Sequence, residues 1–244
     1  MDRALPFLAS AVREDKPFLA VIWFHAPHLP VVGGKRHLAP YEGVQGRRRQ
    51  HYYACITALD EQFGRLREKL RELGVADDTM LFFCSDNGPE GRNDRAPGSA
   101  GGLRGRKRSL FEGGVRVPAA FQWPARIAGN RTIKAPSCTS DYLPTVLDAL
   151  GIEPELPVLD GISLLPLLTG KTKRRGRPIG FQSGKQAAWV TDRYKLVRNG
   201  DRVMLFDIPA DPSEKNDLAS EHPDLVKQMN AALEAWQAAC TSGR

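Results

Sequence analysis

One stripe of apolar side chains narrows the fold more than any other feature. In "HYYACITALDEQFGRLREKLREL", Tyr52, Ile56, Leu59, Phe63, Leu66, Leu70 and Leu73 recur in alternating steps of four and three. An α-helix turns once per 3.6 residues, so these side chains share one face. Glu61, Arg65, Arg67, Glu68 and Lys69 fall off that face, mostly toward water. Gly74 supplies the left-handed backbone that helix ends favour. Before the stripe, "KPFLAVIWF" at 16–24 is a continuous apolar run with Val, Ile and aromatics. A second such run follows at about 79–84. Each reads as a strand buried on both faces, the pattern of a parallel sheet. Strand, long helix and strand make a βαβ unit and predict the α/β class.

Sites in such sheets gather where strands end at their carboxyl side. The first run stops at "HAPHLP", where two prolines forbid regular continuation. The second stops at "SDNGPEG". Asp86 and Asn87 offer a carboxylate and an amide oxygen, hard ligands suited to Ca²⁺ or Mg²⁺. Asn87-Gly88 is equally good turn chemistry, and two adjacent ligands do not make a site. His25 and His28 are three apart, but Pro27 between them excludes a helical metal-ligand pair. A satisfied structural hydrogen bond is the plain account of either histidine. "GGLRGRKRSLFEGGVRVP" sets Arg104, Arg106, Lys107, Arg108 and Arg116 among glycines. It reads as a solvated basic loop or as an anion cradle, with glycines letting the backbone approach the ligand. It is not a P-loop, because the required Gly and Lys-Ser/Thr spacing is absent.

The remaining chain completes the outline. Leu5, Leu8 and Val12 fit one face of an N-terminal helix better than an export signal, since Asp2 and "REDK" flank the apolar residues. Ser140 is placed to cap a short helix in "SDYLPTVLDALG". "GKTKRRGRP" at 170–178 reads as a linker between a larger part, 1–169, and a small subdomain, 179–244. In the latter, "AAWVTDRYKLVR" and "RVMLFDI" flank an "NGD" turn, and a last helix runs from Pro223 to about Ala239. The net charge of +7 suits an anionic partner. The four cysteines form no C-x-x-C pair, which speaks against a structural zinc site and for buried free thiols. No stretch reaches membrane-spanning length.

The order "HAPHLP", "CSDNGPEG", "LRGRKRSLFEGGVRVPAAFQWPARI", "SDYLPTVLDALGI", "LDGISLLPLL" and "LFDIPADPSEKNDLASEHP" resembles the sulfatase family of the alkaline-phosphatase-like superfamily. Any one of these motifs is weak; their order along nearly the whole chain is specific. The resemblance implies part of an alkaline-phosphatase-like sandwich with a central, mostly parallel sheet. To this it adds a small C-terminal α+β subdomain with antiparallel strands and a terminal helix. It maps a sulfate-facing histidine onto His28, a calcium-ligating Asp-Asn pair onto Asp86 and Asn87, and a sulfate-contacting lysine onto Lys107. Arg108 stands where many relatives have a smaller residue. Two-metal phosphate-transferring relatives tend to carry histidine at the place of Asn87, so the amide favours sulfate esters and Ca²⁺, with Mg²⁺ second.

The family's nucleophile is a formylglycine made from Cys or Ser in a C/S-x-P-x-R pattern. No cysteine or serine of this sequence begins that pattern, and the paired aspartates that complete the family's calcium shell are absent. The expectation is therefore the C-terminal part of a sulfatase, inactive alone, whose nucleophile lies in a segment upstream. Its partner would be a sulfate-ester small molecule or a sulfated polysaccharide, and the family resemblance implies a periplasmic or secreted setting. A phosphoester or phosphonate hydrolase, and a non-catalytic binder of sulfated polysaccharide, are the alternatives.

Overall fold

The computed structural model of the protein describes residues 1–91, 96–153 and 159–242. The chain divides into two compact units. The first holds Met1–Phe82 and short returns at 94–98 and 121–125; the second holds the rest.

In the first unit, α1 (Ala4–Arg13) and α3 (Arg47–Glu72) bracket a short α2 (Lys35–Leu38). Leu8 of α1 meets Leu66 and Leu70 of α3 in a small core, with Leu5, Phe18, Ile22 and Leu73 around it. The C-terminal half of the predicted stripe is thus buried. Ile56 is exposed, and Ala54 and Cys55 beside it are buried instead. The reason is a close approach: a Cβ on Gly33 would lie 2.4 Å from the Ala54 Cβ, so the chain at Gly33 covers the small side of the helix. Gly33 N–H also donates to His51 Nδ1 at 3.0 Å.

The predicted strand at 16–24 does not form: these residues carry no strand assignment. Phe18 and Ile22 turn inward, but Leu19, Val21 and Trp23 are 73%, 72% and 92% exposed. A strand exists only as part of a hydrogen-bonded ladder, and no described strand pairs with this run. Apolar composition alone cannot supply a partner. The second predicted strand does form, as β1 (Leu81–Cys84), paired with β2 (Ala119–Gln122) in a two-stranded sheet. The division between units falls within both strands.

The second unit is built on a four-stranded antiparallel meander: β3 (Ile179–Ser183), β4 (Gln186–Val190), β5 (Tyr194–Asn199) and β6 (Arg202–Asp207). The run predicted as one strand, "AAWVTDRYKLVR", is a hairpin, because Thr191-Asp192-Arg193 turns between β4 and β5. β3 escaped the sequence pattern, being short and interrupted by Gly180. That glycine is needed: a Cβ there would sit 2.4 Å from the Trp236 ring. The Asn199-Gly200-Asp201 turn joins β5 and β6 as expected, with Gly200 at φ +60°.

Alternation along the strands gives the sheet two different faces. Ala187, Leu196 and Leu205 face the terminal helix α7 (Pro223–Thr241) through Met229 and Leu233. Ala188, Val197, Met204 and Phe206 face the other way and pack against Leu110 and Phe111. These two belong to the basic glycine-rich loop, just before the single-turn α4 (Glu112–Val115). The loop is therefore seated on the sheet by burial of two large apolar side chains, each worth about 1.5–3 kcal/mol.

A further helix pair, α5 (Tyr142–Leu150) and the single-turn α6 (Leu165–Leu168), lies in the same unit. Ser140 does not cap α5. The helix has no side-chain cap hydrogen bond; the Asp141 carboxylate instead ties the turn before it to the 161–163 stretch, accepting from the backbone N–H groups of Cys138 at 2.8 Å and Ile162 at 2.9 Å. A carboxylate has about four acceptor sites where a hydroxyl has about two. Its remaining lone pairs take both guanidinium nitrogens of Arg175, at 2.6 and 2.8 Å. Arg175 is buried and lies within 170–178, so that stretch runs inside the second unit and is pinned there at its centre.

Candidate functional site

The residues singled out by sequence fall on both units. His28 belongs to the first, Asp86, Asn87 and Lys107 to the second. His28 sits in an exposed loop whose turn is closed by His28 N–H donating to His25 O at 2.8 Å. Its Nδ1 lies 2.9 Å from Leu29 O, and its ring meets that of His25 edge-on at 5.4 Å. The Nδ1 contact with a carbonyl favours the tautomer protonated there, and Nε2 is the nitrogen left to face a ligand.

The second unit brings Asp86, Asn87 and Lys107 together through backbone contact between two loops. Gly88 N–H donates to Gly114 O at 2.8 Å, and Lys107 N–H to Pro89 O at 3.1 Å. The approach is so close that only glycine fits. A Cβ on Gly88 would lie 1.9 Å from Gly113 O; one on Gly113, 2.2 Å from Gly105 O; one on Gly114, 2.0 Å from Ser109 O. Gly105 also takes φ +79°, a conformation that L side chains disfavour. The glycines in "LRGRKRSLFEGG" thus serve loop-on-loop packing. This is a different use from the backbone approach to a ligand that the sequence suggested.

Electrostatics at this junction centres on Glu90. Arg108 Nη1 donates to its Oε1 at 2.7 Å, and Gly91 N–H donates to the same oxygen at 3.0 Å. The Arg108 hydrogen bond first, then that of Gly91, hold the Glu90 carboxyl down at about 2. Lys107 Nζ is 4.0 Å from Glu90 Oε2, with its side chain 20% exposed. Lys107 is thus a half-sheltered ammonium, loosely countered and available to a second anion. Arg106 Nη2 donates to Glu90 O at 3.1 Å, holding the same turn from the other side. Arg108 takes φ +73°, a left-handed conformation uncommon outside glycine.

Asp86 is exposed and Asn87 half-buried. Asn87 Nδ2 donates to Gly88 O at 2.9 Å, which engages the amide nitrogen in the turn, while Oδ1 is the atom of ligand type. The turn and the ligand readings of "DNG" are therefore compatible. As donors these two oxygens fit a hard cation in kind. They do not fit in number: among the described residues no three His, Cys, Asp or Glu side chains are grouped so as to hold a metal ion.

Three supporting residues were missed by sequence reasoning. Lys195 Nζ is wholly buried, 2.8 Å from Glu112 Oε1 and 3.0 Å from Glu214 Oε1. Glu214 Oε2 accepts from Glu112 N–H at 2.6 Å. Burial pushes the Glu214 carboxyl up, outweighing the opposing charge of Lys195. A lysine in the middle of the apolar run "YKLV" was the available signal, since an uncompensated charge does not survive burial. Nothing local in the sequence named its partners. Arg104, already named among the loop cations, adjoins these three: its Nη1 donates to Glu214 O at 2.9 Å while its guanidinium lies 3.8 Å over the Phe111 ring.

The cysteines are all free: Cys55 is buried, Cys84 and Cys138 half-buried, Cys240 exposed. No helix among the described residues is long and apolar enough to cross a membrane.

Comparison with known proteins gives a consistent picture. A family model described as Sulfatase matches residues 1–152, and one described as N-sulphoglucosamine sulphohydrolase, C-terminal, matches 105–239. Arylsulfatase A of Homo sapiens is 35% identical, over 91% of this chain and 44% of its own length. Steryl-sulfatase of Mus musculus is 29% identical, over 97% of this chain and 44% of its own. The solved structure of Ps i-CgsB superposes with a TM-score of 0.88 at 27% identity, over 96% of this chain and 53% of that one. It has also been solved with k-i-k-neocarrahexaose. The chain spans about half the length of the curated relatives it matches.

Proposed function

This chain belongs to the sulfatase family, and we propose that it forms the sulfate-recognising part of a sulfuric ester hydrolase. The observation that carries the reading is the junction of the 85–91 and 104–116 loops. It joins, backbone to backbone, the loop that carries the half-sheltered Lys107 ammonium and the loop that carries Asp86 and Asn87.

A sulfate monoester is an anion that repels a nucleophile. Lys107 binds one of its oxygens by a charge-assisted hydrogen bond, worth about 1.5–3 kcal/mol. Arg108, tied to Glu90 at the rim, adds positive potential next to it. The family resemblance gives His28, which belongs to the first unit, the part of a hydrogen-bond donor to the leaving oxygen. Asp86 and Asn87 are the part of a calcium shell that this sequence supplies. A hard cation held there would supply Lewis-acid withdrawal of charge from a bound anion. The family's formylglycine would come from a C/S-x-P-x-R pattern that these 244 residues do not contain. The chain by itself is then a binder without turnover. A sulfated saccharide is the substrate class best supported, because Ps i-CgsB has been solved with an oligosaccharide and a further relative with its substrate D-glucosamine-2-N,6-O-disulfate.

The test is calorimetric titration of inorganic sulfate, inorganic phosphate and an aryl sulfate into the chain with calcium present. Sulfate is expected to bind more tightly than phosphate, and Lys107→Ala to weaken it roughly 10- to 100-fold. No release of the aryl alcohol is expected. A preference for phosphate, or unchanged sulfate affinity in Lys107→Ala, would overturn the reading.

A further inference from the structure

We propose that Gln186, at the start of β4, is a positioning residue that sets the backbone beside Lys107; the anion-binding consequence rests on the reading of Lys107 as a sulfate ligand. Gln186 Oε1 accepts from Leu110 N–H at 3.1 Å, and its Nε2 donates to Arg108 O at 2.9 Å. One side-chain amide thus satisfies a donor and an acceptor two residues apart on the loop, as a neighbouring strand would. The clamp begins at the residue next to Lys107. Without it, the Arg108 carbonyl and Leu110 N–H lose their partners in a segment whose Arg108 already holds φ +73°. Such a conformation persists only where the surroundings over-determine it.

The geometry explains why a sheet residue can do this. Gln186 and Ala188 alternate onto the sheet face that receives Leu110 and Phe111. Lys195 stands opposite Phe206, on that same face, and grips Glu112 from below. The loop is held at both ends by the same sheet: Gln186 before the Phe111 anchor, Lys195 with Glu214 after it. Between the two, Gly113 N–H donates to Arg104 O at 2.6 Å, closing the loop on itself. Lys107 therefore projects from a closed backbone ring whose shape the β4–β5 hairpin dictates, and the small C-terminal sheet acts on anion binding without touching the anion.

The experiment is residue-resolved amide hydrogen exchange on the full chain, with sulfate titration, for Gln186→Leu and Gln186→Glu. Gln186→Leu is expected to speed exchange at Leu110 about 5- to 10-fold, the loss of one hydrogen bond. The amides of β5 and β6 should keep their protection. Gln186→Glu retains the acceptor for Leu110 N–H but sets an acceptor against Arg108 O. It should therefore restore protection at Leu110 while leaving sulfate affinity weakened several-fold. Unchanged exchange at Leu110 in Gln186→Leu, or a uniform rise across β5 and β6, would overturn the clamp. So would unaltered sulfate affinity in both variants where Lys107→Ala weakens it. If the parent chain binds no sulfate, the reading of Lys107 fails, and the exchange data alone decide whether Gln186 sets the loop.

Discussion

Replacing Lys195 by Met isolates a charge from a volume, because Met fills nearly the same space without an ammonium. Lys195 is fully buried, with Glu112 and Glu214 at 2.8 and 3.0 Å. Glu112 keeps a second cation, Arg116, at 3.6 Å. Among the described residues Glu214 has no other cation within salt-bridge distance, and its carboxylate would lose its counter-charge in the interior. Breaking a buried pair by removing one partner costs about 3–5 kcal/mol. At roughly 2–4 °C per kcal/mol for a protein of this size, the expected fall in Tm is about 6–20 °C. Urea unfolding followed by tryptophan fluorescence, at about pH 8 and about pH 5, measures the loss in free energy. The sign of the pH effect follows from the raised Glu214 carboxyl. A raised folded-state pKa means stability present below the ordinary carboxylate value and lost as pH rises through the folded value. Without Lys195 that pKa climbs further, so the variant recovers relative to the parent at the lower pH. A loss below about 1 kcal/mol at about pH 8, or an equal loss at both values, would refute the argument that an unpaired buried carboxylate causes the damage.

Two other outcomes are expected. Gly88→Ala drives a methyl to 1.9 Å from Gly113 O, a backbone atom that cannot swing away; the strain should cost about 1–3 kcal/mol in thermal unfolding, and near-parental stability would show that the two loops separate freely. The Glu90 carboxyl should titrate near 2 in the parent and move up toward its ordinary 4.5 in Arg108→Ala, since the Arg108 hydrogen bond is the first cause of its depression; the stabilisation it lends is complete above 4.5 and disappears as pH falls toward about 2. A carbon-detected NMR titration reads this directly, and an unmoved midpoint would assign the shift to the backbone.

Much of the molecule was legible because it depends on local rules. The four-and-three stripe of α3, the Asn-Gly turn at 87–88, the Asn199-Gly200-Asp201 hairpin and the helix from Pro223 each follow from periodicity or turn chemistry that neighbours in sequence decide. The roles proposed for Asp86, Asn87 and Lys107 came instead from the family resemblance, since local chemistry left turn and solvated-loop readings open. The run at 16–24 shows the limit. Its side chains are those of a buried strand, yet a ladder needs a partner, and none of the described strands provides one. The 187–198 run failed in the opposite way, since a tight turn at Thr191-Asp192-Arg193 carries no glycine or proline to announce it.

The sequence by itself determined the family, the long helices and the Asn-Gly turns, because motif order and local periodicity are written along the chain. The tertiary structure alone decided what holds Lys107 in place. Gln186 reaches Arg108 and Leu110 across 78 and 76 positions, Lys195 reaches Glu112 across 83, and Glu214 reaches Glu112 across 102. No local pattern encodes contacts at such separations. They arise when alternation on a folded sheet turns one amide and one ammonium toward the same loop, and burial then makes each of them costly to leave unpaired.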